Sequence, residues 1–180
     1  MEKEKYLALK SQVENSGWGE DIEFYKNCHE PTDPDYFFHE YSWVVVSSGI
    51  KNQIARKIYN KILDALDRNQ PFTEVFFHSA KASAMQSVYD NRARFFEAYQ
   101  KAPDKLAYLE TLPFIGPITK YHLAKNFVMD VCKPDRHLVR ISEMYNTTPE
   151  ELCRKLSEET GDKVAIVDVV LFRAGNMGWI

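Results

Sequence analysis

The sequence predicts an all-α fold, and three observations carry that reading. Apolar residues recur at three- and four-residue spacing in one segment after another, and no strand-like alternation persists anywhere. Helix starts and stops are written in local chemistry: Asp33-Pro34 and Thr148-Pro149-Glu150-Glu151 open helices, and Ser16-Gly17-Trp18-Gly19 and Gly161 close them. The segment from Val164 to Ala174 is apolar nearly all round, which places it inside. Two helical lobes with a cleft between them are the expected architecture.

Composition sets the bounds. A chain of 180 residues, 44% of them hydrophobic, fills one domain spanning 1–180 or two small lobes within it. No apolar run approaches a membrane span, and the opening MEKEKYLALK is too charged for a signal segment, so a cytoplasmic or nuclear monomer with no membrane partner is expected. Cys28, Cys132 and Cys153 cannot close a disulfide set and show no C-x-x-C spacing, so reduced thiols are expected. The formal charge of −3 is awkward for a polyanion binder, but the charge is uneven. Lys120, Lys125, Lys133, Arg136 and Arg140 face only Asp130 and Asp135 in their stretch, while Glu150, Glu151, Glu158 and Glu159 hold acid elsewhere.

Taken in order, residues 2–15 form an amphipathic helix through Tyr6, Leu9 and Val13, followed by a polar connection to Thr32. Asp33 caps and Pro34 begins a helix rich in rings, Tyr36, Phe37, Phe38, Tyr41 and Trp43. These rings are core, or some of them, Phe38 and Trp43 above all, wall a pocket for a planar ligand. Residues 47–53 break this helix, and Ile54, Ile58, Ile62 and Leu66 start a buried stripe. Pro71 opens a short segment, a longer helix runs from about Ser79 to Tyr99, and Pro103 starts a brief one through Leu106 to Leu109. After the central stretch, one helix reaches Gly161 and Asp162 caps the last.

The central stretch runs from Leu112 to Ile141. Leu112-Pro113 leads into a turn through Gly116-Pro117, and Ile118, Leu123 and Phe127 recur at helical spacing behind it. A glycine turn feeding a helix start aims backbone N–H groups outward, where they can take a phosphate oxygen without any side chain. Pro134-Asp135-Arg136-His137 then opens a further helix with Asp135 at its N-terminus, a position that favours a negative charge.

Leu-Pro-x-x-Gly followed by Pro-Asp-x-His-x-x-Arg resembles the helix-hairpin-helix superfamily of base-excision DNA glycosylases. Ser47-Ser48 with Asn52-Gln53 places it nearest the 8-oxoguanine branch. The resemblance is clearest between about 105 and 142 and implies a helix-hairpin-helix motif, with duplex DNA carrying a damaged or mismatched base as partner. By that resemblance Leu112, Pro113 and Gly116 form the hairpin, Asp135 is the catalytic carboxylate, and His137 contacts a phosphate. Arg140 is structural or faces a phosphate, and Asn52 and Gln53 fill the gap left by an extruded base. For Asn52 and Gln53 a plain helix cap is an equal reading. Asp168 is a hydrogen-bonded structural acid or lines the base pocket. No cofactor is expected, since nothing after Cys153 supplies an iron–sulfur cluster; a monovalent cation at the hairpin is the one ion the resemblance admits.

The chemistry needs few groups. Breaking an N-glycosidic bond builds positive charge on the sugar, and a fixed carboxylate stabilises it and orients water. Relatives that also cut the strand attack with a lysine two positions after the hairpin glycine, and here that position is Ile118. Lys120 lies about 200° further round an ideal helix, facing away. A monofunctional hydrolase is therefore the expectation. A glycosylase with abasic-site lyase activity through Lys120, Lys125 or another lysine is the first alternative, and a non-catalytic DNA-binding module is the second.

Overall fold

Twelve helices and no strands make up the computed structural model, which describes residues Met1–Ile180. They are α1 (Lys3–Glu14), α2 (Gly19–Asn27), α3 (Pro34–Ser47), α4 (Asn52–Asp67), α5 (Phe72–Val75), α6 (Ser79–Asp90), α7 (Arg92–Lys101), α8 (Lys105–Glu110), α9 (Thr119–Asn126), α10 (Arg136–Glu143), α11 (Pro149–Thr160) and α12 (Val164–Asn176). The chain divides into two compact units. One combines residues 1–30 with 124–180, the other spans 31–123, and the boundary falls inside α9.

The discontinuous unit is built around α12. Val167, Val170, Leu171 and Ala174 are enclosed by Tyr6, Leu9 and Val13 of α1, Ile22 and Tyr25 of α2, Leu138 and Ile141 of α10, and Leu152 and Leu156 of α11. Each such aliphatic side chain contributes about 1.5–3 kcal/mol when taken out of water. Gly175 sets how near α10 can come, because a β-carbon there would meet Ile141 Cδ1 at 3.1 Å and His137 Cβ at 3.2 Å. The connection before α12 departs from its sequence reading. Asp162 accepts from Tyr6 Oη (2.7 Å) and Lys10 Nζ (2.6 Å) instead of capping, and Lys163 is the uncapped N-terminal flank. An ion pair with a distant helix outcompetes a local cap. The polar connection expected after α1 contains a further helix, α2, whose Asp21 pairs with Arg173 beneath the Trp18 ring.

The second unit packs α3 at its centre. Asp33 Oδ1 accepts from Tyr36 N–H at 2.8 Å with Pro34 in the first turn, as the sequence indicates. Phe37, Phe38 and Tyr41 turn inward onto Phe72, Phe96 and Tyr99. Tyr41 Oη donates to Pro113 O at 2.9 Å, tying the central helix to the hairpin. Lys81 Nζ donates to Val45 O, Ser48 O and Ser48 Oγ at 2.7–3.1 Å, so an ammonium from α6 caps the open carbonyls where α3 ends. The long helix expected over 79–99 is two helices divided at Asn91, and Asp104, not Pro103, caps α8 through Ala107 N–H. Ile54 is exposed, while Ile58 and Ile62 hold the buried face of α4.

Candidate functional site

Asp135 is the N-cap of α10. Its Oδ1 accepts from His137 N–H at 2.8 Å and Leu138 N–H at 3.2 Å, while Oδ2 accepts no hydrogen bond. Two backbone donors and the helix N-terminus hold a carboxylate in one orientation and leave one oxygen uncommitted. The loop leading to it is held from behind. Asp135 N–H donates to Lys133 O at 2.7 Å, and Lys133 N–H donates to the Asp168 carboxylate, whose other oxygen pairs with Lys125.

Lys125 and Asp168 form a buried ion pair, 3% and 2% exposed. Burial presses the Lys125 ammonium toward neutrality, but the Asp168 charge and the nearby Tyr25 outweigh it, and its pKa ends above the ordinary lysine value. Burial likewise pushes Asp168 upward while Lys125 and the Lys133 N–H pull it back. With an ammonium and a backbone donor both bonded to it, the ionised pair is the state that satisfies every group. Asp168 therefore has no free oxygen for a base pocket, and the pocket reading of this residue is corrected to a structural one. Lys125 is also lost to the basic surface counted in the sequence.

His137 is half-buried, its ring edge-on to Phe172 at 5.5 Å, with Nε2 accepting from Arg136 Nε at 3.4 Å. Arg140 Nη2 donates to Ile180 O at 2.7 Å, which ties α10 to the residues after α12 and supports the structural reading of this arginine.

The hairpin lies in the second unit up to Leu123, with Leu112 and Ile115 buried beneath it. The strained backbone position is Phe114, at φ 61°, and not Gly116. A β-carbon on Gly116 would find only Thr119 Oγ1, at 4.0 Å, and the Gly116 N–H is already taken by that hydroxyl at 2.7 Å. The expectation that Gly116 needs a conformation closed to other residues, and offers its own N–H to phosphate, is thus overturned. The Ile118 and Thr119 N–H groups take part in no hydrogen bond and are the ones left for an anion. Ile118 itself is exposed. Lys120 Nζ pairs with Glu110 at 2.6 Å, and this bond raises its pKa, the opposite of what an attacking amine needs.

Asn52 and Gln53 sit in the first turn of α4. Asn52 Oδ1 accepts from Arg56 Nε at 3.1 Å, Lys51 holds the cap position, and Gln53 is exposed, so neither residue caps the helix. Phe38 is 1% exposed, stacked on Phe72 at 5.9 Å and edge-on to Tyr89 at 5.0 Å. That is core, and the pocket reading of Phe38 is corrected. Trp43 is half-buried, edge-on to Tyr59 at 5.5 Å. The sequence reading passed over Phe77, which is 88% exposed between buried Phe76 and His78, the ring of which meets Phe114 at 6.1 Å. Nothing in the local pattern separates it from its buried neighbour.

Helices joined by a Leu-Pro-x-x-Gly hairpin, with an aspartate capping the next helix but one to the turn, define the helix-hairpin-helix glycosylase fold. The solved structure of the Methanocaldococcus jannaschii 8-oxoguanine glycosylase/lyase, in complex with a 15mer DNA containing 8-oxoguanine, matches it over 95% of this chain and 96% of that one. The TM-score is 0.65 at 15% sequence identity. At that identity the likeness is one of fold. No protein-family model matches the sequence, and no curated protein is significantly similar to it. No helix is long and apolar enough to cross a membrane.

Proposed function

We propose that this protein is a base-excision DNA glycosylase, hydrolysing the N-glycosidic bond of a damaged or mismatched base turned out of duplex DNA. The observation that carries this reading is the Asp135 carboxylate, fixed through one oxygen and free at the other. As the glycosidic bond lengthens, charge builds on the sugar ring, and an anion already oriented stabilises it without reorganising. The free oxygen orients the attacking water. The unbonded Ile118 and Thr119 N–H groups suit a phosphate oxygen, and the exposed Phe77 ring suits insertion between bases. Asn52 and Gln53 offer polar side chains beside a gap in the duplex.

Water, and not a hairpin amine, attacks C1′ in this step, since Ile118 carries no amine and Lys120 is neutralised by Glu110. The archaeal enzyme of like fold was crystallised on 8-oxoguanine, which makes an oxidised purine the first lesion to offer. The test is a base-release screen on duplexes carrying 8-oxoguanine, alkylated purines, hypoxanthine, or uracil or thymine opposite guanine, with Asp135→Asn as control. Release abolished by that substitution supports the reading. DNA binding with no base released from any duplex identifies a non-catalytic binding module instead.

A further inference from the structure

We infer that Lys133 is a second catalytic group of this protein: an amine on the Asp135 loop that condenses with the C1′ aldehyde of an abasic site. The inference rests on the glycosylase reading only for its substrate, the product of base release. It begins from an accounting of the lysines near the chemistry. Lys120 is bonded to Glu110 and Lys125 is buried against Asp168, so both amines are committed as ammonium ions. Lys133 differs. It lies two residues before Asp135, its side chain is half-buried, and its Nζ makes no hydrogen bond or ion pair.

Its main chain is nevertheless the most firmly held in the loop. Lys133 N–H is bonded to the Asp168 carboxylate and Lys133 O accepts from Asp135 N–H, so amine and carboxylate leave one rigid turn together. A half-buried amine left unpaired at such a place is costly as an ammonium and inexpensive as a free base. Burial presses its pKa below the ordinary lysine value; Asp135 and Asp168 oppose this, and the Lys125 charge adds to it. Desolvation beside another cation is a known way to make a lysine nucleophilic. Those four groups, from the loop itself, α9 and α12, are the charges that set its protonation.

The step balances without any outside oxidant or reductant. The neutral amine adds to the C1′ carbonyl, and the carbinolamine loses water to give a protonated imine. A C2′ proton passes to the Asp135 carboxylate, the C3′–O bond breaks, and the 3′ phosphate departs with the electron pair. Hydrolysis of the imine returns the amine.

The experiment incubates the full chain with a duplex carrying a preformed abasic site and sodium borohydride, which reduces the imine to a stable secondary amine. The adduct is then mapped by mass spectrometry. The expected result is a covalent protein–DNA adduct at Lys133, lost in Lys133→Gln and also in Lys133→Arg, which keeps the charge and the stem and so controls for folding. Its yield should rise with pH and reach half its plateau below the ordinary lysine pKa of 10.5. No adduct with the unmutated chain, or an adduct on another residue, overturns the inference. Base release is measured in parallel. Release from a lesion without any adduct overturns Lys133 alone, whereas an adduct at Lys133 with no release from any lesion supports it and overturns the glycosylase reading.

Discussion

Removing the Asp168 carboxylate tests how the catalytic loop is held. In Asp168→Ala the Lys125 ammonium keeps its burial and loses its counter-ion, and the Lys133 N–H loses its acceptor. Breaking a buried pair from one side costs about 3–5 kcal/mol, because the surviving charge is left uncompensated. For a chain of this length each kcal/mol moves the midpoint by about 2–4 °C, so thermal unfolding should fall by roughly 6–20 °C. The pair as a whole is worth far less than either half. Lys125→Met combined with Asp168→Leu replaces it with apolar groups of similar volume and should recover most of the loss, leaving only the Lys133 N–H unpaired at a cost of about 1–3 kcal/mol. Circular-dichroism melts and urea titrations of the two single variants and the double variant close the cycle. A single Asp168→Ala variant within about 1 kcal/mol of the unmutated protein would mean that the pair is not ionised and buried as described.

The remaining predictions concern the site and the hairpin. Asp135→Asn keeps the shape and removes the charge, so single-turnover base release should fall by at least ~10²-fold while DNA affinity measured by fluorescence anisotropy holds or rises. Gly116→Ala should leave the melting temperature and DNA affinity nearly unchanged, since the new methyl meets nothing closer than Thr119 Oγ1 at 4.0 Å. Phe114→Val should destabilise by about 1–2 kcal/mol in urea titrations, because a β-branched residue is forced to φ 61°. If Gly116→Ala proves the costlier of the two, the turn geometry is wrong. Phe77→Ala removes an almost fully exposed ring, so it should spare stability and lower affinity for duplex DNA; an unchanged binding isotherm would leave that ring without a role on DNA.

The sequence by itself determined the helical class, the order of most helices, and the aspartate at the start of α10. These are local matters. A carboxylate reaches an N–H two or three residues on without help from the rest of the chain, which is why Asp33, Asp135 and the Thr148–Glu151 capping box were all legible. Tertiary structure decided everything that depends on a distant partner. Asp162 has a cap-like sequence position but bonds Tyr6 and Lys10 across more than 150 residues, a choice no window can contain. Likewise, Lys125 reads as a surface cation until Asp168 is brought to it from α12, and Lys120 reads as a free amine until Glu110 closes on it. The hairpin shows the same division within a few residues. Glycine marked the turn, yet the left-handed backbone fell on Phe114, because the buried Leu112 and Ile115 and the Tyr41 bond to Pro113 O fix where the chain must bend. Periodicity tells which face of a helix is apolar, but whether a ring such as Phe38 is enclosed or one such as Phe77 is left in solvent is settled only by what packs over it.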